Sequence, residues 1–285
     1  LHCQRDSNDA HQKTLTLNLS EMKRVKQIAI LALSSVMIVS CDKDDDNIYT
    51  NPPAVQSTVM AISGDSTTVA AKLAEFRVLL GDVNNTPANQ TTGRREVTWD
   101  GVAPAFTNNN TFPLDFFNST DAAVGNARKK GLVYASNGTQ IRIDSTDFSE
   151  IDASYAAQFE PFTRKRILVA AGTTVSEIIF KVPATTTDAS VKGFGVVFSD
   201  VDDANSTFIE FFNGSKSLGV FKAPATAGSA KYSFLGVQFP VEKITRLKIT
   251  AGNAALATGV KDVTDGGTKD LVAMDDFIYS EPVSQ

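Results

Sequence analysis

The sequence predicts a mainly β fold: a two-sheet antiparallel sandwich of jelly-roll type with one N-terminal helix. Three observations carry this expectation. Eleven short segments between residues 96 and 279 are rich in Val, Ile, Phe and Tyr, and several alternate apolar with polar residues. Turn residues such as Asn213-Gly214, Gly228 and Gly266-Gly267 separate them. A single stretch has a sustained helical period, whereas a parallel α/β sheet would need a helix at every crossover.

Taken in order, residues 1–21 show no apolar period and read as an extension ahead of Met22. Lys23, Arg24 and Lys26 precede an apolar run, Ile28–Val39, that falls short of the ~20 residues a membrane-spanning helix requires. A basic start and a short apolar core mark residues 22–40 as a secretory signal. Ile38-Val39-Ser40-Cys41 resembles the lipobox of bacterial lipoproteins, and that resemblance implies cleavage before Cys41 and lipidation of its thiol. The acidic block Asp42–Asp46 (DKDDD) continues into Pro52-Pro53, so residues 41–60 read as an extended tether. The block also resembles an export signal to the outer face of the outer membrane. The expected location is therefore the cell envelope, lipid-anchored at the outer-membrane surface.

Residues 61–285 are expected to form one sandwich domain. In Ser66–Leu80, Val69, Leu73, Phe76 and Leu80 recur at helical spacing, with Ser66, Thr67 or Thr68 as cap and Gly81 in a left-handed closing position. Asp82–Gly93 has turn chemistry. The strands expected are Glu96–Asp100, Leu132–Ala135, Gln140–Asp144, Arg166–Ala170, Glu177–Val182, Gly193–Ser199, Thr207–Phe212, Leu218–Lys222, Tyr232–Phe239, Ile244–Thr250 and Leu271–Tyr279. Ser154–Phe159 reads as one helical turn.

Composition narrows the chemistry. The chain holds two His and two Cys, and after cleavage before Cys41 only that cysteine would remain, its thiol consumed by lipid. Such a chain lacks the imidazole and thiol groups for Ser-His-Asp or Cys-His catalysis and for His/Cys metal sites. Removing residues 1–40 takes five Lys/Arg from 27 and three Asp/Glu from 32, leaving a net charge of −7. This acidic balance argues against nucleic acid as a partner.

Several phrases recur together: Gly93-Arg94-Arg95-Glu96-Val97-Thr98-Trp99-Asp100-Gly101-Val102, Leu114-Asp115-Phe116-Phe117-Asn118, Gly193–Asp202 and Ala273–Tyr279. Over residues 75–282 this resembles a family of secreted bacterial proteins without an assigned activity, some ending in sorting signals. The resemblance implies one extracellular domain, and it assigns no catalytic residue.

Two acidic groups could hold a hard cation. Asp200, Asp202, Asp203 and Asn205 form an oxygen-rich loop suited to Ca²⁺, or simply a solvated turn. Asp275-Asp276 interrupts an apolar strand. With uninterrupted alternation one carboxylate must point inward, and it needs an Arg, backbone N–H groups or a metal. Trp99 with Asp100 could grip a sugar, or Trp99 could pack in the core while the neighbouring arginines pair with acids such as Asp275. Asn118 closes a polar-aromatic loop that could contribute to recognition. The expected role is a non-enzymatic surface lipoprotein that binds a glycan or an extracellular protein, with structural Ca²⁺. The alternatives are a carbohydrate-active hydrolase using paired carboxylates among Glu96, Asp100, Glu210 and Asp275, or a purely structural envelope protein.

Overall fold

The computed structural model describes residues 54–226 and 231–285. Residues 1–53, with Cys41, the signal segment and most of the expected tether, lie outside the described residues, as does Gly228. The compact unit that contains the sandwich spans Pro52–Gln285.

Two antiparallel sheets form the sandwich. The first runs in the order β1 (Thr58–Gly64), β11 (Tyr232–Gln238), β8 (Gly193–Ser199), β13 (Ala273–Ser280), β5 (Ile167–Ala171), β4 (Gln140–Asp144), with β2 (Arg94–Val97) also on β13. The second runs β10 (Lys216–Lys222), β9 (Phe208–Asn213), β12 (Arg246–Thr250), β6 (Val175–Lys181), β7 (Asp188–Ser190), β14 (Val283–Ser284), with β3 (Leu132–Tyr134) on β6. Their inner faces share one core, to which Phe194, Val196 and Phe198 from the first sheet and Phe211, Leu247 and Ile249 from the second belong. The alternation of β8 and β12 thus follows the expected pleat.

The helix α1 (Ser66–Leu80) has the expected limits, but its cap is Asp65, whose carboxylate accepts from the Thr68 N–H at 2.8 Å. Gly81 closes it at φ 122°, ψ 140°, outside the left-handed helical region expected. Val69, Leu73, Phe76 and Leu80 pack on the outer face of the first sheet against Val197, Phe234 and Ile278. Gly195 and Gly236 stand opposite one another on β8 and β11. A Cβ on either would come within 2.9 Å of the Phe76 ring, so the glycine pair is what lets that ring seat on the sheet.

A second outer cover, Phe148, Tyr155 and Phe159, packs on Ile167, Val169 and Ala273 at the other end of the same sheet. The expected helical turn is a 3₁₀ turn, Ala153–Ala157. Strand β1 takes in residues 58–60, which the sequence assigned to the tether. Among the described residues, no helix is long and apolar enough to cross a membrane.

Candidate functional sites

The bulge in β13 organises one end of the molecule. Met274 stands opposite Phe198 and Phe277 opposite Val196, so Asp275 and Asp276 together face Val197. This two-against-one arrangement is a β-bulge. It shifts the pleat: Val272 and Met274 face the core before it, Phe277 and Tyr279 after it. The uninterrupted alternation expected for this strand is therefore incorrect.

Asp275 meets neither an Arg nor, among the described residues, the other acidic cluster. One of its oxygens, Oδ2, accepts from the backbone N–H groups of Phe162 (2.6 Å) and Thr163 (3.2 Å). Asp276 accepts from the Thr163 hydroxyl at 2.6 Å. Asp275 Oδ1 and Asp276 Oδ2 have no other donor. The two carboxyls interact directly, and burial followed by their mutual repulsion holds the Asp275 carboxyl well above the usual range. Burial also raises Asp276. Two neighbouring buried carboxyls of raised pKa favour a state in which at least one is protonated. The pair thus clasps the 162–163 loop to the strand, with backbone N–H groups as the partners of the inward carboxylate.

The expected sugar-gripping residues are built into the fold instead. Trp99 is 1% exposed, and its Nε1–H donates to the Asp275 carbonyl at 3.2 Å, which occupies a main-chain acceptor at the bulge. Phe112, Phe117 and Phe277 surround the indole with ring centroids 5.1–6.1 Å away. The polar-aromatic loop therefore plugs the core. Asn118 is buried, donating to the Thr185 carbonyl at 2.8 Å and accepting from the Ala184 N–H at 3.1 Å. Asp100, half-buried, accepts from the Lys165 N–H at 2.9 Å. The arginines pair elsewhere than with Asp275: Arg95 with Glu281, and Arg94 with Glu96.

Just before the N-terminal end of β13 the expected acidic loop does gather carboxylates. Asp200, Asp202 and Asp262 bring one carboxylate oxygen each to within 4.8 Å of one another. Asp200 is fully buried with positive φ (68°), a conformation that Asp tolerates better than most residues. Neither of its carboxylate oxygens has a hydrogen-bond partner, nor does Asp202 Oδ2. Burial, then the charges of Asp202 and Asp262, push Asp200 up to about 8. Burial and the contact with Asp262 push Asp202 up to about 7.

Asp262 and Asp270, which the sequence reading did not single out, frame this cluster. Asp262 accepts from the N–H groups of Leu271 and Thr264 (2.8 Å each). Asp270 accepts from the N–H groups of Asp202 and Asp203 (3.1 Å each) and from the Ser206 hydroxyl. Asp203, expected as a ligand, is exposed and accepts from the Asn205 N–H at 2.9 Å in a local turn. Asn205 itself accepts from Lys222 Nζ at 2.7 Å.

A third region is the outer face of the second sheet. The helix α1 packs on β1, β11 and β13 of the first sheet. Phe208, Glu210 and Phe212 of β9 point outward and are half-exposed, as are Arg246, Lys248 and Thr250 of β12 and Glu177 of β6. Register aligns them in rows. Lys248 lies directly between Glu210 and Glu177, Thr250 opposite Phe208, and Arg246 opposite Phe212. The Arg246 guanidinium stacks 3.7 Å from the Phe212 centroid and reaches Glu177 at 3.4 Å. Phe208 and Phe212 are about 13 Å apart along the strand.

No family model matches the chain, and no curated protein matches it. Among solved structures, a point mutant of a family 29 carbohydrate-binding module is similar at 8% identity, over 66% of this chain and 92% of that one, with a TM-score of 0.25. Similarity at that level carries no argument about the site.

Proposed function

We propose that this chain is a lipid-anchored, non-enzymatic protein of the cell surface whose sandwich binds an oligosaccharide on the outer face of the second sheet. The observation that supports this reading is the contrast between the two outer faces. The first is covered by α1 and the 148–159 segment, whereas the second presents two spaced phenyl rings interleaved with carboxylate, ammonium, guanidinium and hydroxyl groups. Aromatic faces suit the C–H surfaces of sugar rings, and the charged groups suit hydroxyls as donors and acceptors. A span of about 13 Å fits several linked units better than a single sugar.

The anchor belongs to the same reading and rests on the signal and lipobox around Cys41. Cys41→Ala is expected to move the protein from the membrane fraction to the soluble fraction. The hydrolase alternative lacks comparable support. Arg77 and Arg94 hold Glu96, Asp275 clasps the 162–163 loop, and Glu210 lies on the other sheet.

A glycan array probed with the purified full chain tests the binding face. Phe208→Ala is expected to lower affinity about tenfold, the loss of one stacking contact, while the partly buried ring's removal lowers the melting temperature by only a few degrees. Array silence, or binding indifferent to Phe208→Ala and Phe212→Ala, would defeat the proposal.

A further inference from the structure

The geometry points to a divalent-cation site, calcium by its ligand chemistry, formed by Asp200, Asp202 and Asp262 where the loops after β8 and before β13 meet. A gathering of acids is not in itself a site, and two features at this one call for an ion. The first is Asp200, which is completely buried with both oxygens unpartnered. A carboxylate withdrawn from water without donors is strongly unfavourable unless a cation or a proton compensates it. The second is Gln158 on the neighbouring 153–158 turn. It is 6% exposed, its amide nitrogen has no partner, and its amide faces Asp200. An amide turned oxygen-inward is a ligand that Ca²⁺ accepts, and the two orientations are interchangeable by rotation about one bond.

The donor set is all oxygen, which selects hard cations. Oxygens that all lie within 4.8 Å of one another can reach a single ion with bonds of ~2.4 Å, and a buried cage of protein oxygens suits Ca²⁺, whereas Mg²⁺ keeps several of its waters. Three carboxylates leave excess negative charge, and among the described residues no Lys or Arg forms an ion pair with any of them. Asp262 and Asp270 are pre-oriented by backbone N–H groups, which resembles the outer support that holds metal ligands in place. The ion would fasten three segments distant in sequence: the loop at 200–203, the 153–158 turn, and the 262–270 loop.

The test is calorimetry and titration on the purified full chain in chelator, in millimolar CaCl₂ and in millimolar MgCl₂. Calcium is expected to bind with a stoichiometry of one and raise the melting temperature by roughly 5–10 °C. Asp200→Asn should abolish the calcium shift and, in chelator, melt above the unsubstituted protein, because it removes a buried unpaired charge. Asp202→Asn, at a half-buried position, provides the same readout should the first variant fail to fold. Identical melts in chelator and in calcium would overturn the site. An equal shift with Mg²⁺ would overturn the calcium assignment, and an undiminished shift in both variants would overturn the ligand set.

Discussion

The two ends of β13 bury charge in opposite ways. Just beyond its C-terminal end, Glu281 meets Arg95 in a pair with side chains at most 1% exposed. Both Glu281 oxygens accept from the guanidinium at 2.7 Å, and Asn85 adds a third donor at 2.8 Å. The remaining Arg95 N–H groups reach the carbonyls of Pro87 and Lys129. Before its N-terminal end, Asp200 lies equally deep with neither oxygen in a formed hydrogen bond and only the Gln158 amide facing it. One end is a closed electrostatic unit and the other is an open one. A sequence spends acidic residues in both, and only their partners distinguish a structural clasp from a place reserved for a ligand.

The largest effect expected from breaking this comparison is at the closed end. Glu281→Ala leaves the Arg95 guanidinium buried without a counter-charge, and removing one partner of such a pair typically destabilises by about 3–5 kcal/mol. Urea unfolding should show a lower midpoint with an unchanged slope. A change under about 1 kcal/mol would mean that the carbonyls alone hold Arg95. At the open end, the equivalent loss of charge by Asp200→Asn in chelator has the opposite sign.

Acidity sharpens the contrast next. Asp200 and Asp202 are raised to about 8 and about 7 from an ordinary value of 3.8. The metal-free folded protein therefore holds protons that the unfolded chain has released. That contribution is complete below about pH 4 and is lost as pH rises through 7 to 8. The metal-free melting temperature should fall by roughly 5 °C or more between pH 5 and pH 8. The raised Asp275 and Asp276 slope the same way, so the diagnostic quantity is the difference made by Asp200→Asn. A slope unchanged in that variant would remove Asp200 as its source and leave the other raised carboxyls, Asp202, Asp270 and the bulge pair among them. Because calcium needs ionised ligands, its stabilisation should grow over the same interval.

How much of this was legible in the sequence follows from the range of the interactions. The helix and the strands β4 and β8 have the expected limits because period and caps are local. Strand β1 was missed because Thr58–Gly64, an edge strand half open to solvent, has no clean alternation. Strands β7 and β14, three and two residues long, are too short to carry any period. The bulge was visible in principle: Met274 and Phe277 are three apart where a regular strand needs two. Asp200 and Asp202 were found as a loop cluster, but Asp262 lies sixty residues away among turn glycines, and only the fold brings it alongside. Trp99 could be read as either core or platform, because one aromatic residue in a charged phrase does not reveal which way its ring points.

The smallest expected effect separates local sequence density from real convergence. Asp203 belongs to the same acidic phrase as Asp200 and Asp202, and by spacing alone it is as good a ligand. Its carboxylate faces solvent and accepts from Asn205, while its backbone N–H, which any side chain retains, supports Asp270. Asp203→Ala should therefore change stability by less than about 0.5 kcal/mol and leave the calcium-induced shift intact. Loss of that shift in Asp203→Ala would place the ion outside the Asp262 cluster and out in the 200–205 loop. The two ends of β13 would then differ only in which acids happen to have found partners.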